Sequence, residues 1–364
     1  MSRLATDRPR SSPYMEWVKT GSAARFNLVA SGLMWCPLSF LEVTLADLEI
    51  NGPSFYGYEP LKQAIAAHSQ VKPECVVIAE GTSMVNHLAL ASLLEPGDEV
   101  IIEQPTYELL TATAGYLGAT VRTFTRSAEQ GFQIDVDRVS RLFSPRTKLV
   151  VITNLHNPSS VLTSEPILLE LGKRAASIGA KVLVDEVYLE AVLGPRPRSA
   201  FHLGPEFVTT NSLTKVYGLN GLRCGWALAE PELARRMWRL NDLFGVIPSH
   251  LSERVGTRAF ERMDRLRDRT QAHLAANWQA CDEWLGDCTS VDVVRPPGGT
   301  VLFPRLKRGT VETLCARLRS EQETSVVPGE FFGLKDHFRV GIGGAQENVR
   351  EGLRRLRLTL DSMS

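Results

Sequence analysis

The chain has 364 residues, 43% of them hydrophobic, enough to bury a large core and to build two lobes rather than one. Lysine plus arginine and aspartate plus glutamate each number 41, so no net field draws the protein to nucleic acid or to an anionic membrane. Six scattered cysteines (Cys36, Cys75, Cys224, Cys281, Cys288, Cys315) form no C-x-x-C, which argues against a zinc site or a disulfide framework and fits reduced thiols in a cytosol.

No apolar run approaches the roughly 18 residues that span a bilayer. The N-terminus carries Arg3, Arg8 and Arg10 without the apolar core of a signal peptide. A soluble cytoplasmic protein without a metal, membrane or nucleic-acid partner is expected.

In chain order, residues 1–14 read as a flexible polar arm. Residues 26–32 are strand-like and end in the small-residue turn Ser31-Gly32. The apolar run 33–37 is either local packing or a wall of a substrate pocket. A turn-rich loop at 52–58 leads into a helix beginning near Glu59-Pro60-Leu61, where proline suits a first helical turn. Strands are then expected at 75–79, 99–102, 148–153, 181–185, 207–210 and 224–229, with helices at 82–94, 107–116 and 165–177 between the earlier ones. Continuous apolar strands alternating with helices indicate a mostly parallel sheet covered on both faces. Ligands of such sheets bind beyond the carboxyl ends of the strands.

From about residue 230 the pattern turns helical. The stretch 254–285 interleaves acids with its arginines and so reads as a solvated amphipathic helix. Strands at 291–295 and 300–304 are expected to flank a turn at Pro296-Pro297-Gly298-Gly299. A helix at 311–318, strands near 325–327 and 337–342, and a last helix from about Gln346 complete an α+β lobe. Gly341-Ile342-Gly343-Gly344 imitates a dinucleotide fingerprint, but no βαβ unit follows it, which argues against NAD.

Chemistry concentrates where β-strands end. In 211–223, Lys215 is preceded by Ser212 and followed by Gly218, Gly221 and Arg223. A hydroxyl donor and a rigid guanidinium fork are both phosphate ligands. A lysine between them suggests a cofactor carrying a phosphate and an aldehyde, pyridoxal phosphate (PLP), joined to Lys215 as a Schiff base; the alternative is a solvated surface turn. Asp185 ends an apolar strand, where a carboxylate is costly unless paired. It either pairs a pyridinium N–H, making the ring an electron sink, or caps the next helix, and Tyr188 three residues on can reach the ring's phenolic oxygen. Asn157 offers two N–H donors to a phenolate and a carboxylate, or merely makes an Asn-Pro turn. Gly81-Thr82-Ser83 lies where a strand hands over to a helix, a ready phosphate cup or a simple N-cap. Tyr107 either stacks on a pyridine face or packs in the core. Arg339 sits on an apolar strand, where it is either a bidentate clamp for an α-carboxylate or half of a structural ion pair.

These pieces follow one another in the order found in the class I/II aminotransferases of the fold-type I PLP enzymes, which the sequence resembles over nearly its whole length. The matching residues are the Gly81-Thr82-Ser83 turn, Pro105-x-Tyr107, His156-Asn157-Pro158, Asp185-x-x-Tyr188, Ser212-x-x-Lys215, Arg223 and Arg339, with Pro297-Gly298-Gly299 and Pro328-Gly329-x-x-Phe332-Gly333. The resemblance implies a large domain with a mostly parallel seven-stranded sheet and a smaller α+β domain, divided as 1–44 (arm and part of the small domain), 45–250 and 251–364. It implies that Lys215 is both the Schiff-base lysine and the acid/base, that Asp185 holds the pyridinium, and that Asn157 and Tyr188 hold the phenolic oxygen. Gly81, Thr82, Ser83, Ser212 and Arg223 would hold the phosphate, Tyr107 the ring, and Gly32, Asn157 and Arg339 the substrate. The implied reaction moves an amino group from an L-amino acid to a 2-oxo acid. A homodimer is implied too, with Tyr56 or Tyr58 reaching the neighbour's site. The family commonly has Asn-Pro-Thr-Gly where this chain has Asn157-Pro158-Ser159-Ser160, so a PLP-dependent lyase, cyclase or oxidase is the alternative. A PLP-sensing regulator is the remote one, since the stretch ahead of Asn27 is short for a DNA-binding module.

Overall fold

The computed structural model describes residues 8–363. Seven strands form the main sheet: β1 (Val76–Glu80), β2 (Glu99–Gln104), β3 (Thr120–Thr125), β4 (Thr147–Thr153), β5 (Lys181–Asp185), β6 (Phe207–Ser212) and β7 (Cys224–Leu228). Their spatial order is β1-β7-β6-β5-β4-β2-β3. Every pairing is parallel except those of β7, which runs antiparallel to both β1 and β6.

Alternate residues of the central strands feed two layers, as the two-residue period of a strand requires. Val151 and Leu183 join the cluster that includes Val85, Leu88 and Ala89 of helix Gly81–Leu93. Val150, Ile152, Val182 and Val184 face the other way, against Leu168, Leu171 and Ala175 of helix Glu165–Ala176. Burial on both faces explains why these strands read as unbroken apolar runs. β3 gave no such signal. Its sequence TVRTFT buries only Phe124, because it is the edge strand with one face toward solvent.

The expected hairpin around Pro296–Gly299 does not form. Val291–Asp292 pairs with Arg305–Leu306, and Val301–Leu302 pairs instead with the strand Phe338–Gly341. The turn is consumed by another contact, in which Leu193 N–H donates to Pro297 O (3.1 Å) and Val192 bridges to Gly298. The expected single helix over 254–285 is two, His250–Glu261 and Met263–Asp287, broken at Arg262, whose backbone leaves the helical region (φ −111°, ψ 17°). Of the strand-like run 26–32 only Phe26–Asn27 is strand, pairing in parallel with Thr324–Ser325.

The arm differs most from expectation. Residues 1–7 lie outside the described residues, but Ser12 caps a short helix, Pro13–Glu16, and Tyr14 is buried. Glu108 ties this segment down by accepting from Ser12 Oγ and from Tyr14 N–H (3.1 Å). Among the described residues no helix is long and apolar enough to cross a membrane, and all six cysteines are free thiols.

Candidate active site

β4, β5 and β6 run parallel, and the register Thr153 to Asp185 to Thr210 aligns their carboxyl ends along one edge. The loops beyond that edge, with residues 29–35, enclose a cavity of about 340 Å³. Gly32, Thr82, Ser83, Tyr107, Asn157, Asp185, Tyr188, Ser212, Lys215 and Arg223 all line it.

Asp185 lines the cavity and is almost wholly buried. Its Oδ2 accepts from Asn86 Nδ2 (2.8 Å) and its Oδ1 from Val187 N–H (3.1 Å). The Asn86 amide is held in that sense by Thr210, whose hydroxyl donates to Asn86 Oδ1 (2.6 Å). Burial pushes the Asp185 carboxyl up to about 6, while the two N–H donors and Lys215 pull it down. Asp185 therefore caps no helix of its own; it presents an acceptor to the cavity.

Lys215 Nζ donates to Ser31 Oγ (3.1 Å), and the Tyr188 hydroxyl donates to the same oxygen (2.8 Å). Burial holds the ammonium below its ordinary pKa; Arg339 and Arg223 add to that, and Tyr14 and Asp185 oppose it. Burial likewise raises the Tyr188 phenol. The Gly32 α-carbon lies against the lysine, since a Cβ there would stand 3.3 Å from Lys215 O and 3.5 Å from its Cδ.

Another part of the lining has groups suited to an anion. Helix Gly81–Leu93 opens here with its first-turn N–H groups unpaired by the helix itself. The buried hydroxyls of Thr82 and Thr214 have no hydrogen-bond partner among the described residues. Arg223 (φ +50°) turns its guanidinium over Gly81 (φ +74°), where a side chain would collide with it. It donates to two backbone carbonyls only at long range, Glu80 O (3.3 Å) and Asn220 O (3.5 Å).

Arg339, on the strand Phe338–Gly341, is buried behind the cavity wall and does not itself line it. It donates to Asn157 Oδ1 (3.1 Å), Tyr14 OH (2.8 Å) and Val29 O (3.2 Å), and all three of those residues line the cavity. No carboxylate among the described residues pairs with it, so the ion-pair alternative is not what the fold contains. Its Nε is buried without a hydrogen-bond partner among the described residues, and its Cζ lies 4.9 Å from the Phe332 ring centroid. Because guanidinium only donates, Asn157 must present its oxygen to Arg339, which leaves the amide N–H groups without a protein partner among the described residues. Asn157 is set from behind. Its N–H donates to Thr153 Oγ1 (2.8 Å), and that hydroxyl donates to Glu103 Oε1 (2.6 Å), half of a fully buried pair with Arg126 (2.6 Å).

Ser160 occupies the left-handed region (φ +58°) expected of glycine, and its hydroxyl donates to Val301 O (2.8 Å). Its side chain fills the space where Gly299 (φ +102°) lacks one. Tyr107 packs edge-on to Tyr14, centroids 6.0 Å apart, with burial raising its phenol. The apolar run 33–37 gives the cavity Leu33 and Trp35, so it is a wall. The glycines of 341–344 serve close packing instead: side chains at Gly341 and Gly343 would strike Ala30 O and Gly32 O. Tyr56 and Tyr58 do not line this chain's cavity. Tyr56 OH accepts from Arg239 (2.6 Å), and Tyr58 packs edge-on to His250.

Sequence reasoning missed Tyr14, Ser31, Asn86 and Thr153. Only Asn86 left a local trace, a polar residue one turn after Thr82 in an otherwise apolar helix face.

Residues 49–356 match the family model described as aminotransferase class I and II. Among curated proteins, the chain is 34% identical to capreomycidine synthase of Streptomyces vinaceus over 83% of this chain and 79% of that protein. It is 27% identical to the arginine–pyruvate transaminase AruH of Pseudomonas aeruginosa, covering 83% and 80% respectively. Among solved structures, the PLP-dependent cyclase OrfR superposes with a TM-score of 0.88 at 28% identity over the whole of both chains. The fold is that of the fold-type I PLP enzymes, and the cofactor is pyridoxal 5'-phosphate. The donor set is complementary to it, with a buried acid, two orphaned hydroxyls, a guanidinium and an amine lining one cavity. A match running from residue 49 to residue 356 on a chain folded in this way places the protein in the class I and II aminotransferase family.

Proposed function

We propose that the protein is an aminotransferase that moves the amino group of an L-amino acid to a 2-oxo acid. The observation that carries this is Arg339, a buried guanidinium without an acid partner among the described residues, bound to Asn157 at the wall of the cavity that Lys215 lines. Bound PLP supplies an electron sink beside the substrate α-carbon. Arg339 fixes the substrate carboxylate, with Gly32 and Asn157 beside it. Lys215 would hold the cofactor covalently, and its free Nζ would take the proton from the substrate α-carbon, helped by a pKa already lowered by burial. Asp185 keeps the ring nitrogen protonated. Asn157 and Tyr188 donate to the ring oxygen, Tyr107 packs beside the ring, and Gly81, Thr82, Ser83, Ser212 and Arg223 take the phosphate.

A homodimer completes the site in this reading. It is supported by the exposed apolar residues Phe55, Leu243, Phe244 and Val246 near Tyr56, which are costly to leave in water. The division 1–44, 45–250 and 251–364 is supported by the confinement of the large sheet to residues 76–228.

The second reading keeps the site and changes the outcome to ring closure on an amino acid. The likeness to capreomycidine synthase and to a PLP-dependent cyclase favours it, as does Ser160 in place of the usual glycine. The test is to load the protein with PLP, record its visible absorption, and add arginine and pyruvate, the pair in AruH's name. Transamination predicts alanine and cofactor in its amine form; ring closure predicts neither. Lys215→Ala abolishes the absorption band, the borohydride-stable tag and turnover; retained turnover refutes the assignment.

A further inference from the structure

We propose that Ser31 is a positioning residue of the active site: its oxygen fixes the free ε-amine of Lys215 and the Tyr188 phenol relative to Arg339. The inference rests on the reading of Lys215 as the acid/base. A serine oxygen has two lone pairs, and here Lys215 Nζ (3.1 Å) and Tyr188 OH (2.8 Å) use both; when Tyr188 turns its single O–H to the ring oxygen, Ser31 still holds the amine. The amine is therefore held at one point even when nothing is bound to it.

Ser31 cannot drift. Its carbonyl accepts from the buried Thr300 hydroxyl (2.7 Å), and two residues on, Leu33 N–H donates to the backbone oxygen of Lys215 itself (2.7 Å). Two residues earlier, Val29 O accepts from Arg339 Nη2 (3.2 Å). One short segment thus binds both the Arg339 guanidinium and the Lys215 amine. It sets the distance between a substrate's carboxylate and the base that must reach its α-carbon. Such placement contributes strongly to rate, because a misplacement of about 1 Å costs on the order of a hundredfold.

The test compares Ser31→Ala with Ser31→Thr, which keeps the oxygen. In cofactor-free protein, the pH dependence of Lys215 acylation, followed by peptide mass mapping, reports the amine directly. Tyr14, Asp185, Tyr188, Arg223 and Arg339 also face it and are unchanged in both variants. Loss of an acceptor for the ammonium shifts the Ser31→Ala profile down by roughly half to one pH unit, while Ser31→Thr keeps the wild-type profile. In the loaded enzyme, Ser31→Ala keeps its visible band and borohydride tag but loses about tenfold in kcat, with the amino-acid KM within about twofold and a larger isotope effect from deuterium at the α-carbon. An unchanged acylation profile and kcat in Ser31→Ala, or equal shifts in both variants, would overturn the proposal. A wild-type protein that takes no tag sinks the proposed function instead, and the acylation profile then still decides the role of Ser31.

Discussion

Replacing Asp185 by asparagine should stabilise the cofactor-free protein at neutral pH while nearly abolishing its activity. Burial raises the Asp185 carboxyl from 3.8 to about 6, so the folded chain binds a proton more readily than the unfolded one. Such a group favours the fold below the unfolded value, and that contribution is lost as pH rises through the folded one. At about 1.4 kcal/mol per unit, ionising Asp185 in the fold costs about 3 kcal/mol, of which about 2 falls between about pH 4.5 and pH 7.5. Asparagine cannot ionise. Its carbonyl can still accept from Asn86, but its NH₂ meets the Val187 N–H, at a pH-independent cost of about 1–3 kcal/mol. Urea unfolding of both cofactor-free proteins across that range should show the difference in stability moving in favour of the variant by about 2 kcal/mol with rising pH. Parallel pH dependences would mean that Asp185 is not held as an isolated buried acid. Full turnover by the variant would refute its role at the ring nitrogen.

Three further outcomes follow from the same geometry. Arg339→Lys exchanges a planar fork for a point charge, so the KM for the amino acid should rise by about two orders of magnitude in steady-state kinetics, with the visible band retained. Thr153→Val removes the hydroxyl that joins Glu103 to Asn157, and should cost about 1–3 kcal/mol in urea unfolding and about tenfold in kcat/KM, both largely restored in Thr153→Ser. Tyr14→Phe takes one partner from Arg339 Nη2, so the KM should rise about fivefold with kcat little changed; a wild-type KM would show that the N-terminal helix does not brace the clamp.

Much of the large lobe was legible because its strands are buried on both faces. Val182 to Val184 and Leu149 to Ile152 can be read as strands without knowing their neighbours, since every position must be apolar. The same reasoning fails at β3, whose edge position lets Thr120, Arg122 and Thr125 stay polar, and at residues 291–306. There the turn chemistry of Pro296–Gly299 favours a hairpin, and longer-range pairing with Phe338–Gly341 wins. β7 was found as a strand, but its antiparallel direction depends on how the chain returns across the sheet, which no local pattern encodes.

The residues gathered at the cavity divide in the same way. Asp185, Lys215 and Gly81 sit at strand ends or helix starts, where a polar or flexible residue after an apolar run is conspicuous locally. Asn86, Ser31 and Tyr14 are ordinary in their own neighbourhoods and acquire meaning only through partners 99, 184 and 325 positions away. A polar side chain with a partner that distant cannot be told from a solvated one until the fold joins them. Once joined, it is no longer cheap to replace, because each is buried and each partner would be left unsatisfied. The polar groups proposed to touch the reacting atoms were therefore the visible ones, and those that hold them in place were the hidden ones. Lys215 could be recognised by its surroundings in sequence, whereas the point in space to which its amine is held belongs to Ser31, on a segment that the sequence alone reads as the end of a strand.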